Sequence, residues 1–172
     1  MEITIIAAIQ RKDNGLGKDN RLLFRIPEDM KRFVQLTTRV PNQPVIMGRK
    51  TYDSIPEKFK PLSGRQAIII TRNEDYPTPQ NEIRAHSLEE ALRVAQELSE
   101  VVSIAGGGEI YKEAIEKGLF DKLELTLVKS DKNADTFFPV WSHLGEIVNR
   151  LEAIDEKSGL EYAFITIEKW RK

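Results

Sequence analysis

The chain has 172 residues, no cysteine and only two histidines. Without cysteine there is neither a disulfide framework nor a thiolate metal site, which suits a reducing compartment. His86 and His143 are isolated, and no histidine–glutamate spacing or serine elbow accompanies them. Metal-assisted hydrolysis and nucleophilic triads therefore lack their parts, and no metal is expected. Neither sign of charge is in surplus: 26 basic residues stand against 27 acidic ones, so no overall field calls for nucleic acid or an anionic membrane. Any anion site must be local. Long apolar runs are missing as well. The run from Ile3 to Ile9 is too short to cross a bilayer and lacks a basic leader, so no transmembrane helix or signal peptide is expected and a soluble cytoplasmic protein is the reading. Two phosphate fingerprints also fail. A P-loop needs a glycine directly before its lysine, but Lys50 follows Arg49. A Rossmann fingerprint read from Gly106 meets Gly108 and then Tyr111 where its third glycine belongs.

What is present reads as one α/β domain. Strand-like runs occur at Ile3 to Ile9, Val45 to Met47, Ala67 to Thr71 and Val101 to Ala105, apolar on both faces, as strands covered on both sides are. Helical patterns lie between them: Pro27 to Thr38, a short segment from Thr51 to Ile55, and Ser87 to Leu98, which opens with Ser87 and Glu90 as a capping box. This alternation predicts a mainly parallel sheet. After Gly118 the period changes to that of strands, with Leu123, Leu125 and Leu127 alternating with Glu124, Thr126 and Val128, and a second run from Tyr162 to Glu168. These two predict an antiparallel C-terminal edge. Pro77 to Asn81 reads as a plain loop.

Two junctions where a strand breaks into glycine carry the chemistry. Val45-Ile46-Met47 runs into Gly48-Arg49-Lys50-Thr51, and Val101 to Ala105 runs into Gly106-Gly107-Gly108 ahead of the helical pattern Ile110, Tyr111, Ala114, Ile115. Each places backbone N–H groups where an anion is welcome, and two in one small domain point to a dinucleotide. The segment Pro27 to Thr38 adds an acid. At 100° per residue, Leu36, Phe33, Thr37, Met30 and Val34 sweep one apolar arc, while Glu28, Lys31, Gln35 and Arg32 fill the opposite face. Asp29 falls between Leu36 and Phe33. Two readings stay open for it: an acid at the third helical position complementing the helix dipole, or a catalytic carboxyl whose pKa is raised by desolvation. One buried acid without a nucleophile suits chemistry carried by a cofactor.

The same residues resemble the dihydrofolate reductase family over essentially the whole chain. The resemblance rests on Ile5-Ile6-Ala7-Ala8, Leu16-Gly17-Lys18-Asp19-Asn20, Pro27-Glu28-Asp29-Met30-Lys31-Arg32-Phe33 and Pro44-Val45-Ile46-Met47-Gly48-Arg49-Lys50-Thr51. It continues through Leu62-Ser63-Gly64-Arg65, Ala105-Gly106-Gly107-Gly108-Glu109-Ile110-Tyr111, Leu125-Thr126 and Asp135-Thr136-Phe137-Phe138-Pro139. It implies a single domain with a central sheet of roughly eight strands, helices on both faces and an antiparallel C-terminal edge strand. It also implies reduction of 7,8-dihydrofolate to tetrahydrofolate, by hydride transfer from NADPH to C6 with a proton delivered to N5. A monomer with this small-molecule substrate, and neither nucleic acid nor membrane as partner, is expected.

By that resemblance Asp29 holds the pterin 2-amino group and N3 and supports protonation at N5, and Thr126 bonds the pterin amino group and Asp29. Phe24 is the third candidate catalytic residue. Ile6, Ala8, Met30, Phe33, Ile55, Leu62, Ala105 and Tyr111 line the folate, and Arg65 forks onto its glutamate α-carboxylate, a bidentate task lysine performs poorly. The cofactor is assigned to Ala8, Leu16, Gly17, Asn20, Leu22, Gly48, Arg49, Lys50, Thr51, Ile70, Thr71, Arg72, His86, Gly106, Gly107, Gly108, Glu109 and Ile110. Arg49, Thr71 and Arg72 match positions around the adenosine 2′-phosphate; taken by spacing, Arg72 reads equally as a solvated loop arginine and His86 as a surface or phosphate-edge residue.

The chain also departs from the family pattern. Leu22-Leu23-Phe24 stands where a leucine or methionine, a proline and a tryptophan are usual, so Phe24 keeps a ring without an indole N–H and Leu23 frees a φ angle. Ala105 replaces a larger aliphatic residue and Glu109 a basic one. Two other functions remain open at this stage: the related pyrimidine reductase of riboflavin synthesis, against which the pairing of Asp29 with Arg65 argues, and a nucleotide-binding module that has lost catalysis.

Overall fold

The computed structural model describes residues 1–171. The first third of the chain forms β1 (Glu2–Gln10), β2 (Gly15–Lys18), β3 (Arg21–Leu22), α1 (Pro27–Thr37), β4 (Gln43–Gly48) and α2 (Arg49–Ser54). A 3-10 turn at Glu57–Phe59 leads to β5 (Arg65–Ile70), β6 (Ile83–Ala85), α3 (Leu88–Leu98), β7 (Val101–Ile104) and α4 (Gly108–Glu116). The C-terminal part holds β8 (Lys122–Val128), β9 (Thr136–Phe137), β10 (Gly145–Ile154) and β11 (Glu161–Lys169). Eight strands build the main sheet in the order β10-β11-β8-β1-β7-β4-β5-β6, and β3-β2-β9 form a small second sheet. From β8 to β6 every pairing is parallel; β11 and β10 run antiparallel. Among the described residues no helix is long and apolar enough to cross a membrane.

The sheet is covered on both faces, as its apolar central strands require. On one side Ile5, Ile46, Ile68, Ile104 and Leu125 pack against Leu88, Ala91 and Ala95 of α3 and Tyr111 and Ala114 of α4. On the other, Val45, Met47, Ala67 and Ile69 meet Tyr52 of α2 together with Phe33 and Ile55. A third cluster of Leu23, Phe24, Ile26, Val128 and Tyr162 closes the β8–β11 end. Helix α3 starts on a true cap, for Ser87 Oγ accepts the Glu90 N–H at 3.1 Å. The Glu90 carboxylate reaches back to the His86 N–H, one residue before the capping residue itself.

Three expectations change. The outermost C-terminal strand is β10, which the sequence pattern did not reveal; a bulge between Ile147 and Asn149 interrupts its period, and the strand is exposed on both sides. The apolar arc of α1 is not a buried stripe, because Met30 is 50% and Val34 43% exposed and only Thr37 is buried. Phe33 and Thr37 pack against the sheet, while Met30 and Val34 stand at its open edge. Arg32, expected on the solvated face, is largely covered and ion-paired to Glu124, since the β8–β11 end of the sheet extends past the edge of the arc.

Candidate active site

Neighbouring strands β4 and β7 send their helices to opposite faces of the sheet, α2 to one side and α4 to the other. A crevice must open between them at the carboxyl ends of the strands, the place where open α/β sheets take ligands. Its floor is backbone. The Ala105 N–H donates to Ile46 O at 2.9 Å and the Gly48 N–H donates to Gly106 O at 2.8 Å. Gly106 has φ +120°, a conformation side chains rarely adopt, and a Cβ on Gly108 would sit 2.8 Å from Thr136 Cγ2. The glycines thus keep this surface free of side chains. Helix α4 begins from Gly107 with no side-chain cap, leaving its first N–H groups directed into the opening.

Strand register brings distant residues to the same rim. Gly48 lies beside Ile70 and Ile70 beside Ala85, so Arg49, Thr71 and His86 all follow the ends of adjacent parallel strands. Of these, Arg49 is paired with Asp53 at 3.0 Å, the Thr71 hydroxyl accepts the Asn73 N–H, and His86 is exposed with only its backbone N–H bonded among the described residues. Lys50 and Arg72 are exposed and carry no ion pair among the described residues, and Glu109 is exposed on α4. Ile110 approaches Gly48, and Thr51 Oγ1 lies against Gly106 and Gly107.

The opposite wall holds the acid. Asp29 sits in the first turn of α1, where Pro27 pre-sets the helix and an acid complements its dipole. The Thr126 hydroxyl of β8 donates to Asp29 Oδ1 at 2.5 Å. Such a charge-assisted bond contributes about 1.5–3 kcal/mol. Burial raises the Asp29 pKa above its usual range, while the Thr126 bond and the positive charge of Arg32 partly oppose the rise. The β1–β8 register places Ala8 next to Thr126 and Ile6 next to Glu124. The Ile6 carbonyl accepts the Tyr111 hydroxyl at 2.6 Å, and burial together with the charge of Asp29 pushes that phenol far above its ordinary pKa. Both readings of Asp29 are compatible with its position, in which the side chain turns inward to the Thr126 hydroxyl.

Along the cleft, Met30 is exposed, Phe33 and Ile55 are half-buried and Leu62 is buried. Arg65 closes the line. Its Nε donates to Ser63 O at 3.0 Å and its Nη1 to Thr37 Oγ1 at 3.3 Å, and it has no carboxylate partner among the described residues. Burial without a counter-ion lowers its pKa. Ala105 is half-buried at the end of β7.

The segment with the unusual Leu22-Leu23-Phe24 borders the crevice. Buried Leu16 touches the Gly108 position, Gly17 is packed against Arg21 O, and Asn20 occupies a positive-φ turn. Leu22 is exposed, whereas the Leu23 carbonyl accepts Lys132 Nζ at 2.6 Å. Phe24 is buried in the third cluster, with Lys132 Nζ 5.5 Å from its ring centre. Asp135 accepts the Asp19 N–H at 2.9 Å and so ties this segment to the stretch before β9.

Sequence reasoning missed the ion pair of Arg32 with Glu124. Two signals could have found it. Arg32 is one helical turn from Asp29, and Glu124 shares the face of β8 with Thr126, two residues on.

The sequence model of the family described as dihydrofolate reductase matches residues 2–169. "Dihydrofolate reductase type 3" of Salmonella typhimurium is 34% identical over 99% of this chain and 100% of its own length. "Dihydrofolate reductase" of Pneumocystis carinii is 32% identical over 80% of this chain and 74% of its own. "Bifunctional dihydrofolate reductase-thymidylate synthase" of Glycine max is 37% identical over 78% of this chain, which spans only 27% of that longer protein.

Proposed function

The chain belongs to the dihydrofolate reductase family, whose members reduce dihydrofolate to tetrahydrofolate, and we propose that it does so with NADPH, as a cytoplasmic monomer. The residues at the crevice suit a dinucleotide, because Gly106 to Gly108 form a cradle that any Cβ would fill and α4 offers uncapped N–H groups beside it. Gly48, Thr51 and Gly106 to Gly108 would hold the pyrophosphate, and Arg49, Thr71 and Arg72 the 2′-phosphate whose loss would leave cations unpaired. When bound, NADPH supplies the hydride that goes to C6 of the pterin.

The chain's own residues do the rest. Asp29 accepts hydrogen bonds from the pterin 2-amino group and N3, and Thr126 holds that carboxyl in place. Burial raises the proton affinity of the Asp29 carboxyl above that of an exposed one, and in this role it supports protonation at N5. Met30, Phe33, Ile6, Ile55 and Leu62 enclose the flat rings and exclude water. Arg65, partly buried and lacking a carboxylate, receives the glutamate tail in bidentate fashion. Phe24 shapes the segment beside the reacting rings without offering a donor.

The observation that supports the reading most is the covered Asp29–Thr126 pair set across a cleft from a glycine cradle. Asp29→Asn should lower turnover of dihydrofolate at neutral pH by about 100-fold or more, the scale of a lost acid–base group. The deficit should shrink at low pH, where substrate arrives already protonated. Loss of NADPH absorbance measures both, and equal activity of the two proteins across pH would reject the role.

A further inference from the structure

Arg32 and Glu124 form a covered ion pair beside the acid, with side chains 15% and 10% exposed. Nothing in the hydride transfer uses either. The pair is built with care: the Thr166 hydroxyl donates to Glu124 Oε2 at 2.8 Å, and the Arg32 guanidinium lies 4.6 Å from the centre of the Phe164 ring. Three strands and a helix thereby meet at one point, because Glu124 of β8 and Thr166 of β11 are register partners and Ile6 of β1 lies beside Glu124.

The connectivity is a closed loop. Asp29 is bonded to Thr126, Thr126 shares a strand face with Glu124, Glu124 is paired with Arg32, and Arg32 is one helical turn from Asp29. Two contacts on consecutive turns fix the rotation of α1 over β8, which a single contact would not. We propose that Arg32 and Glu124 are positioning residues of the folate site, clamping α1 to β8 at the level of Asp29 and setting the electrostatic field which its carboxyl faces. This rests on the reading of Asp29 as the folate acid.

The two charges act on Asp29 with opposite sign. Arg32 favours its carboxylate, and Glu124, which restrains Arg32, carries the charge that would disfavour it. The other groups facing Asp29 are Glu28 on its own helix, which is bonded to Lys31, the Tyr111 hydroxyl from α4 and Tyr162 from β11. Both phenols are held uncharged by burial, so they add no competing charge near neutrality. Replacing the pair by apolar residues is tolerated in other proteins, whereas removing one partner strands the other. That asymmetry makes the single variants informative.

The test is a titration of the Asp29 side-chain carboxyl carbon by NMR in the free protein, which needs no substrate. Arg32→Met should move the midpoint upward, Glu124→Gln downward, and the double variant back toward the wild type. If Arg32→Met does not fold, Arg32→Gln, which still offers Glu124 a hydrogen bond, carries the same upward sign. A clamp that were only mechanical would, when loosened, wet Asp29 and move its midpoint down in every variant. A downward or absent shift in the neutral Arg32 variants therefore overturns the proposal, and opposed shifts support it. Opposed shifts without any dihydrofolate turnover by the wild type would leave the pair's coupling to Asp29 standing and refute the functional reading, and with it the assignment of that coupling to a folate site.

Discussion

The two walls of the cleft offer charge by different means. On the proposed cofactor side the surface assigned to the pyrophosphate is mainly backbone: Gly106, Gly107, Gly108 and the start of α4. On the proposed folate side the surface is side chain: Asp29 fixed by Thr126 and accompanied by Arg32 and Glu124, with Arg65 farther along. The difference follows from what each ligand part presents. A pyrophosphate is a diffuse anion that many N–H groups satisfy together, so closeness of approach matters and glycine provides it. A pterin edge presents directional donors, so a single carboxylate at a set angle and proton affinity is required. The backbone wall is thus sensitive to volume, and the side-chain wall to charge.

Adding volume to the backbone wall should give the largest effect. In Gly108→Val the new side chain starts 2.8 Å from Thr136 Cγ2, so the first turn of α4 or the facing Thr136 must shift to admit it. Losing two charge-assisted bonds at about 1.5–3 kcal/mol each would raise the Kd for NADPH by at least about 100-fold if the cofactor sits as proposed. Fluorescence titration reads this directly, and unaltered binding would move the cofactor elsewhere. On the other wall, Arg65→Ala should raise the KM for dihydrofolate by about 10- to 100-fold with little change in kcat, because the tail it is proposed to hold lies away from the reacting atoms. Arg65→Lys should recover only part, since the fork is lost.

The smallest effect sharpens the contrast by separating stability from activity. The Asp29 pKa is raised on folding, so its contribution to stability is fully present below the unfolded value near 3.8 and is lost as pH rises through the folded value. Above that window the ionised carboxyl is a burden on the fold. Asp29→Asn keeps the acceptor for Thr126 and removes the charge, so at pH values above the folded pKa it should raise Tm, by about 2–4 °C for each kcal/mol relieved, while turnover falls. Calorimetry at several pH values should show the difference vanish under acid conditions. No exchange on the glycine wall is expected to give this opposed pair of changes.

Much of the molecule was legible in residue order because its signals are local. The apolar strands β1, β4, β5 and β7, the cap at Ser87 and the glycine junctions depend on neighbours within a few residues. Strand β10 escaped because its exposure on both faces and its bulge leave no period to read. Arg32 escaped for the opposite reason. A helical projection shows which residues share a face but not how far the opposing sheet extends, and here it reaches one column farther than the apolar residues announce.

The order of residues alone determined the alternation of strand and helix, the glycines at the two strand ends and an acid on the apolar margin of α1. Those follow from backbone sterics and periodicity, which act along the chain. Tertiary structure decided that β7 inserts between β1 and β4, so that helices leave on opposite faces and a crevice exists at all. It likewise decided that Thr126, 97 positions away in the chain, is the hydroxyl that meets Asp29, and that Glu124 captures Arg32 next to it. Burial and field strength belong to the packed assembly, because a carboxyl is desolvated by whatever lies around it in space.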